Sequence, residues 1–306
     1  MGNNEIKSGV IQAGFSYLLW GLLPIYWKLL GHVDSSEILA NRIFWSFVFM
    51  VVLLFLARKQ TSLTAVLKGF KTHPKQMYAL ACASVLITIN WFVYIWAVNT
   101  GQMIETSLGY YINPLVSVLL GVIVLKERLS LVQYASFFMA LTGVLIISFS
   151  YGRFPWIAMT LALSFGIYGL AKKLIKVDAA IGLTLETMVV TPVAAIYLGF
   201  LLMEGTSAFL HNGLGTNILL AAAGPATALP LLLFAAGAQK IPLSMLGFLQ
   251  YIAPTLTLIL GVFVYEEHFS GTQLLAFMFI WSALTLYSLS KSKLLNSLQL
   301  RLRKHH

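Results

Sequence analysis

Charge is what this sequence has least of. Only 10% of its 306 residues are Asp, Glu, Lys or Arg, against about 25% in soluble globular domains. So few charges cannot cover the surface of a soluble chain this long, and lipid is the solvent expected for most of it. Cysteine is nearly absent: Cys82 stands alone inside an apolar run. One thiol excludes an intrachain disulfide and a thiolate metal site, and reads as a small hydrophobe. Acidic residues number 10 against 20 basic ones, a net charge of +10. Such an excess can mark nucleic-acid binding, but here the basic residues form short runs between apolar spans. That is a topology signal, and no nucleic-acid partner is expected. Chemical motifs are missing too. There is no G-x-x-x-x-G-K-S/T phosphate loop, no HExxH, no GxSxG and no paired Cys/His spacing. ATP hydrolysis, a metal and a cofactor are therefore not expected, nor is an enzyme. A cleavable signal peptide is absent by pattern, because Lys7 leads into a span too long for a signal h-region.

Long apolar runs are what the chain does have. A bilayer-crossing helix takes about 20 mostly apolar residues. Such windows fall at 9–30, 37–57, 76–99, 103–125, 131–150, 155–175, 181–203, 215–238, 243–265 and 271–290, ten in all. The links at 100–102 and 240–242 are very short and occupy equivalent places in the two halves. With the N-terminus in the cytoplasm, 17 of the 20 Lys and Arg fall in cytoplasmic segments. Only Arg153 is left in an external loop, while Lys28 and Arg42 lie in or at the edge of spans. Both termini are therefore placed inside.

One stretch occurs twice. Glu105 to Pro114, running on through Gly121 to Glu127 and Ser130, is echoed from Met245 to Pro254 and on through Gly261 to Glu267 and Ser270. At an offset of 140 residues Tyr111 falls on Tyr251, Pro114 on Pro254, Gly121 on Gly261, Glu127 on Glu267, Ser130 on Ser270 and Gln133 on Gln273. Apolar bias alone does not keep Pro, Gly, Glu and Gln in one register, so the chain reads as an internal duplication. Earlier spans match more faintly, Leu18, Gly21 and Lys28 against Leu163, Gly166 and Lys173. Five spans per half make the second copy enter the membrane upside down. The expected fold is all-α integral membrane, ten transmembrane helices as two inverted five-helix repeats (1–150 and 151–290), with a basic cytoplasmic tail at 291–306. Transporters built this way gather their substrate site at the repeat interface near mid-membrane.

Four runs carry a family resemblance: Leu19 to Lys28, Asn90 to Asn99, Glu105 to Pro114 and Gly224 to Pro230. Across all ten spans the chain resembles the RarD branch of the EamA family, in the drug/metabolite transporter superfamily. The resemblance implies a ten-helix inverted-repeat carrier with a central cavity in a bacterial inner membrane, and supplies no substrate. One position departs: Asn41 precedes Arg42 where the branch usually carries a His, which takes a titrating neighbour away from Arg42.

The residues expected to carry the work are polar groups at membrane depth, where charge is costly and faces a cavity or a partner. Arg42, about one and a half turns into the second span, is the leading candidate, gripping a carboxylate or phosphate by two hydrogen bonds. Lys28 joins it or snorkels to the headgroups. Glu186 pairs with Lys172, Lys173 or Arg42, or titrates and couples transport to protons. Glu105 is a second coupling candidate, or a carboxylate stabilised by the helix dipole. Pro114 and Pro254 free the carbonyls of Tyr110 and Gln250 as helix kinks. Tyr110, Gln250 and Tyr251 are read with them as substrate-binding, while Ser117, Gly121, Thr257 and Gly261 suit close helix packing. Asn90 and Tyr94 line the cavity, or Asn90 bridges two helices. Trp20 and Trp91 lie deep enough to wall a cavity; Trp27, Trp45 and Trp96 suit interfacial anchors. Together these imply a secondary carrier working by alternating access, with export of a small metabolite such as an amino acid expected. Its partners would be the substrate, membrane lipids, and protons or a counter-substrate. Multidrug efflux is the alternative among carriers; a membrane enzyme or a non-transporting scaffold is the alternative outside them.

Overall fold

The computed structural model describes residues 3–290 except 71, 73, 101, 153, 176 and 265–269. Glu266, Glu267 and His268 of the second copy, Arg153, Gly101, Lys71, Lys176 and the tail 291–306 lie outside the described residues. The helices run α1 (Asn3–Leu29), α2 (Ser35–Leu56), α3 (Gln60–Gly69), α4 (Pro74–Asn99), α5 (Met103–Ile123) and α6 (Leu131–Tyr151) in the first half. The second half gives α7 (Trp156–Leu174), α8 (Ala179–Met203), α9 (Gly213–Ala238), α10 (Leu243–Gln250), α11 (Ile252–Phe263) and α12 (Gly271–Ser290). Ten stretches are long and apolar enough to cross a membrane, α10 and α11 together making one of them. The chain is a multi-pass membrane protein. The side of the bundle where α1 begins is called here the N-terminal face.

Local chemistry explains where the spans start. Asp34 caps α2 by accepting from the Ser36 N–H at 2.8 Å, and Asp178 caps α8 by accepting from Ala180 N–H at 3.0 Å and Ile181 N–H at 3.3 Å. Ser130 and Gln133 form a capping box at α6, and Ser270 with Gln273 repeats it at α12. That shared device is why Ser and Gln recur at the 140-residue offset. Hydropathy does not show α3, a ten-residue helix lying on the N-terminal face with Leu63 and Val66 against the core.

The two copies of a proline behave differently. Pro254 separates α10 from α11 at Tyr251, as a residue lacking an N–H should. Pro114 sits inside α5, which continues through it. Pro225 and Pro230 likewise lie within α9, and the carbonyl of Pro230 accepts from Ser16 Oγ at 2.8 Å.

Packing follows a two-fold. α2 lies on α8 and α6 on α12, each pair being its own image when the halves are exchanged. α1 on α9 exchanges with α7 on α4, and α5 on α7 with α11 on α1. The correspondence reaches single residues. A Cβ on Gly21 would meet Leu256 at 2.8 Å, and one on Gly166 would meet Val116 at 2.6 Å; the glycines stand 145 residues apart and their contacts 140. In the same way Asn90 Nδ2 donates to the Leu161 carbonyl at 2.9 Å as Ser16 does to Pro230.

The core is lopsided. Its largest cluster, from Ala13 and Tyr17 through Met50, Ile87, Tyr168 and Leu183 to Phe234 and Leu246, fills the half of the bundle toward the N-terminal face. In the opposite half apolar contacts break into smaller groups around Leu30 and Leu220, Ala40 and Ile43, and Ala97 and Ile157.

Candidate functional site

The opposite half holds Arg42, eight residues past the α2 cap. Its position is built from below. Glu37, buried one turn earlier, accepts from Ser207 Oγ at 2.7 Å, Ala208 N–H at 2.9 Å and Phe209 N–H at 3.1 Å, pinning the α8–α9 loop over α2. Gly224 of α9 lies against the Trp45 backbone, where a Cβ would overlap, and Ser46 Oγ donates to its carbonyl at 3.1 Å. That close crossing brings Thr227, one turn on, within 3.0 Å of Arg42 Nε, which donates to its hydroxyl. Sequence reasoning did not single out Glu37 or Thr227.

Aromatic rings surround the guanidinium. Its Cζ lies 4.5 Å from the Trp27 ring centroid and 5.6 Å from that of Trp91. Tyr94 and Tyr110 meet edge-on at 6.0 Å, beside Arg42. Among the described residues no carboxylate forms an ion pair with Arg42. A half-buried cation held by rings and one hydroxyl keeps its outer N–H groups for an anionic group.

This differs in part from the sequence expectation. Arg42, Tyr94 and Tyr110 come together. Trp27, expected as an interfacial anchor, packs on Arg42 instead, while Lys28 stands exposed at the end of α1. Asn90 bridges α4 to α7 through Leu161 and Ser164, both at 2.9 Å, so its amide serves packing rather than a cavity. Gln250 is likewise a bridge, accepting from Ser117 Oγ at 2.9 Å. Tyr251 is buried beside Phe248 and Tyr287 in the core, its hydroxyl donating to the Tyr111 carbonyl at 3.4 Å. Glu105, expected as a coupling group or on its own helix dipole, is buried and accepts from the Ile157 N–H at 2.7 Å, in the first turn of α7. Each of these four groups (Asn90, Gln250, Tyr251 and Glu105) has found a backbone or side-chain partner on a neighbouring helix, which lipid cannot supply.

Toward the N-terminal face the centre is closed by rings. Trp20 packs on Tyr17 at 5.6 Å, Phe165 at 5.6 Å and Phe234 at 5.7 Å, and Tyr168 stacks on Phe234 at 5.9 Å. Trp20 and Phe165 are repeat counterparts at the 145-residue offset, so they meet where the two halves face each other. Beyond them lies Glu186. Its Oε1 accepts from Lys172 Nζ at 2.5 Å and its Oε2 from Tyr168 at 3.2 Å, with both charged side chains no more than 3% exposed. A cavity of about 10 Å³ adjoins the pair, bordered by Trp91, Ile87 and Leu231; that is room for about one water.

Two seams between the repeats complete the geometry. On the N-terminal face, α5 and α10 are in tight contact: a Cβ on Gly247 would stand 2.7 Å from the Pro114 carbonyl. Glu127 accepts there from the N–H groups of Leu243 at 2.6 Å and Ser244 at 2.9 Å, capping α10. The image of this seam, between the start of α5 and α11, is apart, and α11 barely touches α5. Gln250 is 6% exposed where its counterpart Tyr110 is 49%. Ser117 and Gly247 are buried, while their counterparts Thr257 and Ser107 are exposed.

Comparison with known proteins agrees with this architecture. Residues 7–149 match the model of the EamA-like transporter family. The chain is 51% identical over 295 residues to the uncharacterized transporter YojE of Bacillus subtilis, covering 96% of this chain and 97% of that one. It is 43% identical to protein RarD of Escherichia coli over 287 residues, 94% of this chain and 96% of the relative. A protein crystal structure shares the fold at a TM-score of 0.70 and 18% identity, covering 94% of this chain and 99% of that one. With full-length relatives at these identities and two copies of one five-span unit, the chain belongs to the EamA-like transporter family, in the branch of the RarD proteins.

Proposed function

We propose that the chain is a secondary carrier that exports a small metabolite bearing a carboxylate or similar anion, by alternating access across the bacterial inner membrane. The observation that carries this reading is the pair of seams. Two interfaces related by the repeat two-fold should be alike in a rigid scaffold, yet one is shut and the other open, as expected of one state of a two-state machine. The distribution of Lys and Arg assigns the N-terminal face to the cytoplasm, so the state described opens outward, with Arg42 on the accessible side. Amino acids and similar zwitterions are the leading substrate class. The rings around Arg42 also suit flat apolar solutes, which keeps multidrug efflux as the second reading. Coupling to protons or to a counter-substrate would pass through Glu186.

Alternating access has a direct test. When the outer seam shuts, Tyr110 and Thr257 take up the relation that Gln250 and Ser117 hold now. In a Cys82→Ser background, Tyr110→Cys with Thr257→Cys is expected to cross-link in a fraction of molecules in liposomes, and the linked protein to lose solute counterflow. A control pair, Ser117→Cys with Gln250→Cys, should link readily. Linking of the control pair alone, under every condition tried, would sink alternating access through these seams.

A further inference from the structure

The two-fold relates Arg42 to Glu186. Asp34 and Asp178 cap equivalent helices, and Arg42 and Glu186 each stand eight residues beyond their cap. Their surroundings correspond as well. Trp27 lies on Arg42 as Lys172 lies on Glu186, and these partners are 145 residues apart, the offset of their helices. Trp91 flanks Arg42, and its counterpart Leu231 borders the cavity at Glu186. The molecule therefore carries one cage twice: as a cation ringed by aromatics on the open side, and as a carboxylate–ammonium pair sealed on the shut side.

We propose that the Lys172–Glu186 pair is a recognition site for zwitterions, whose carboxylate is taken by Lys172 and whose ammonium is taken by Glu186 once the N-terminal face opens. This rests on the carrier reading above and names its second half-site. The pair is built unlike a simple staple. α7 and α8 are not packed directly on each other: α7 lies on α5 and α4, α8 on α2, and α4 and α9 touch both. The two charges thus meet between helices held together through shared neighbours. Both are buried, and removing either partner would strand the other. A zwitterion inserted head to tail leaves neither charge unmatched, because it brings one of each sign. A ligand with only a carboxylate or only an amine strands one of the two. Tyr168, which already donates to Glu186, and the small cavity beside Trp91 give the inserted group a polar neighbour and a place to begin. By the two-fold, opening the N-terminal face exposes this pair as Arg42 is exposed now.

The experiment is competition in counterflow with purified full-length protein in liposomes. The probes are the common L-amino acids, the acids lacking the α-amine, and the amines lacking the carboxylate. Wild type is expected to prefer some zwitterion over both of its single-charge analogues by about tenfold or more, since a site built for two polar groups rejects ligands missing one. In Lys172→Met with Glu186→Met that preference should fall to within about twofold, with folding monitored by thermal melting. The swap Lys172→Glu with Glu186→Lys should recover it, as the same two charges are present in reverse. If the Met double variant folds and keeps the wild-type preference, the pair is a structural staple and the proposal is overturned. A wild type that transports but does not discriminate overturns it too. Absence of counterflow by wild type for any solute would instead remove the carrier reading on which it rests.

Discussion

Among the described residues Arg42 has no carboxylate partner, and rings with one hydroxyl hold it. Depth alone made it visible in the sequence, because an arginine inside an apolar window needs a reason. Its neighbours were less visible. Trp27 and Trp91 sit in other spans, and no local pattern tells a tryptophan that packs on a guanidinium from one that anchors at a headgroup. Asn90, Gln250 and Glu105 left two readings open for a related reason: at membrane depth, a polar residue bound to a neighbouring helix and one facing a cavity have the same sequence signature. If a flat guanidinium stacked between rings is what matters, Arg42→Lys should raise the half-saturating concentration for counterflow by about tenfold or more. Unchanged transport would remove the two-point grip. Outside the spans, Asp178 offers a smaller test. Burial pushes its carboxyl up, but the Lys59 ammonium at 2.7 Å and the N–H groups of Ile181 and Ala180 outweigh it and hold the group below its ordinary 3.8. A depressed carboxyl stabilises the fold above its unfolded pKa, and the benefit fades as pH falls through that value, about 4. Both side chains are about two-fifths exposed (38% and 42%), so the effect is under about 1 kcal/mol. Asp178→Asn should melt lower than wild type at neutral pH, and the gap should narrow as pH drops below about 4.

At the scale of elements, the informative comparison is α5 with α10 and α11. The same proline breaks one helix and is carried through the other, so the residue permits a break and the packing around it decides. Sequence reasoning could place both prolines but not this difference, which depends on what lies across the seam. Gly247 is part of that decision, since its missing Cβ lets the Pro114 carbonyl approach. Gly247→Leu should force α10 off α5, lowering stability by about 1–3 kcal/mol through overpacking. It should also let a membrane-impermeant thiol reagent reach Ser117→Cys from the N-terminal face, where that position is now 3% exposed. No gain in labelling would mean that this contact does not hold the seam shut. α3 was missed because span-length windows pass over a short amphipathic helix at the surface.

At the scale of the molecule, the duplication was the most legible feature, and the structure gives the reason. The residues kept at one offset are those with local duties: capping boxes, prolines in mid-span, and glycines at close crossings. Which seam is shut and which charges pair were not legible, because both depend on distances between helices far apart in the chain. Ten spans put both ends of the described chain on one side, and the basic runs are the ground for proposing that this side is the cytoplasmic one. A fluorescent protein that matures only in the cytoplasm should therefore light up when fused after Ser290. Alkaline phosphatase at the same place should stay inactive. The reverse result would invert every assignment of inside and outside made above.

The lopsided core has a consequence for how such a machine idles. Most of its interlocked side chains lie behind one door, so turning the molecule over means dismantling a large oily joint before a smaller one can form. In the export cycle proposed above, the resting posture and the slowest stroke then share a cause. An unloaded protein would wait facing outward as a stopper, and cargo arriving from within would lend its own binding to loosen the plug.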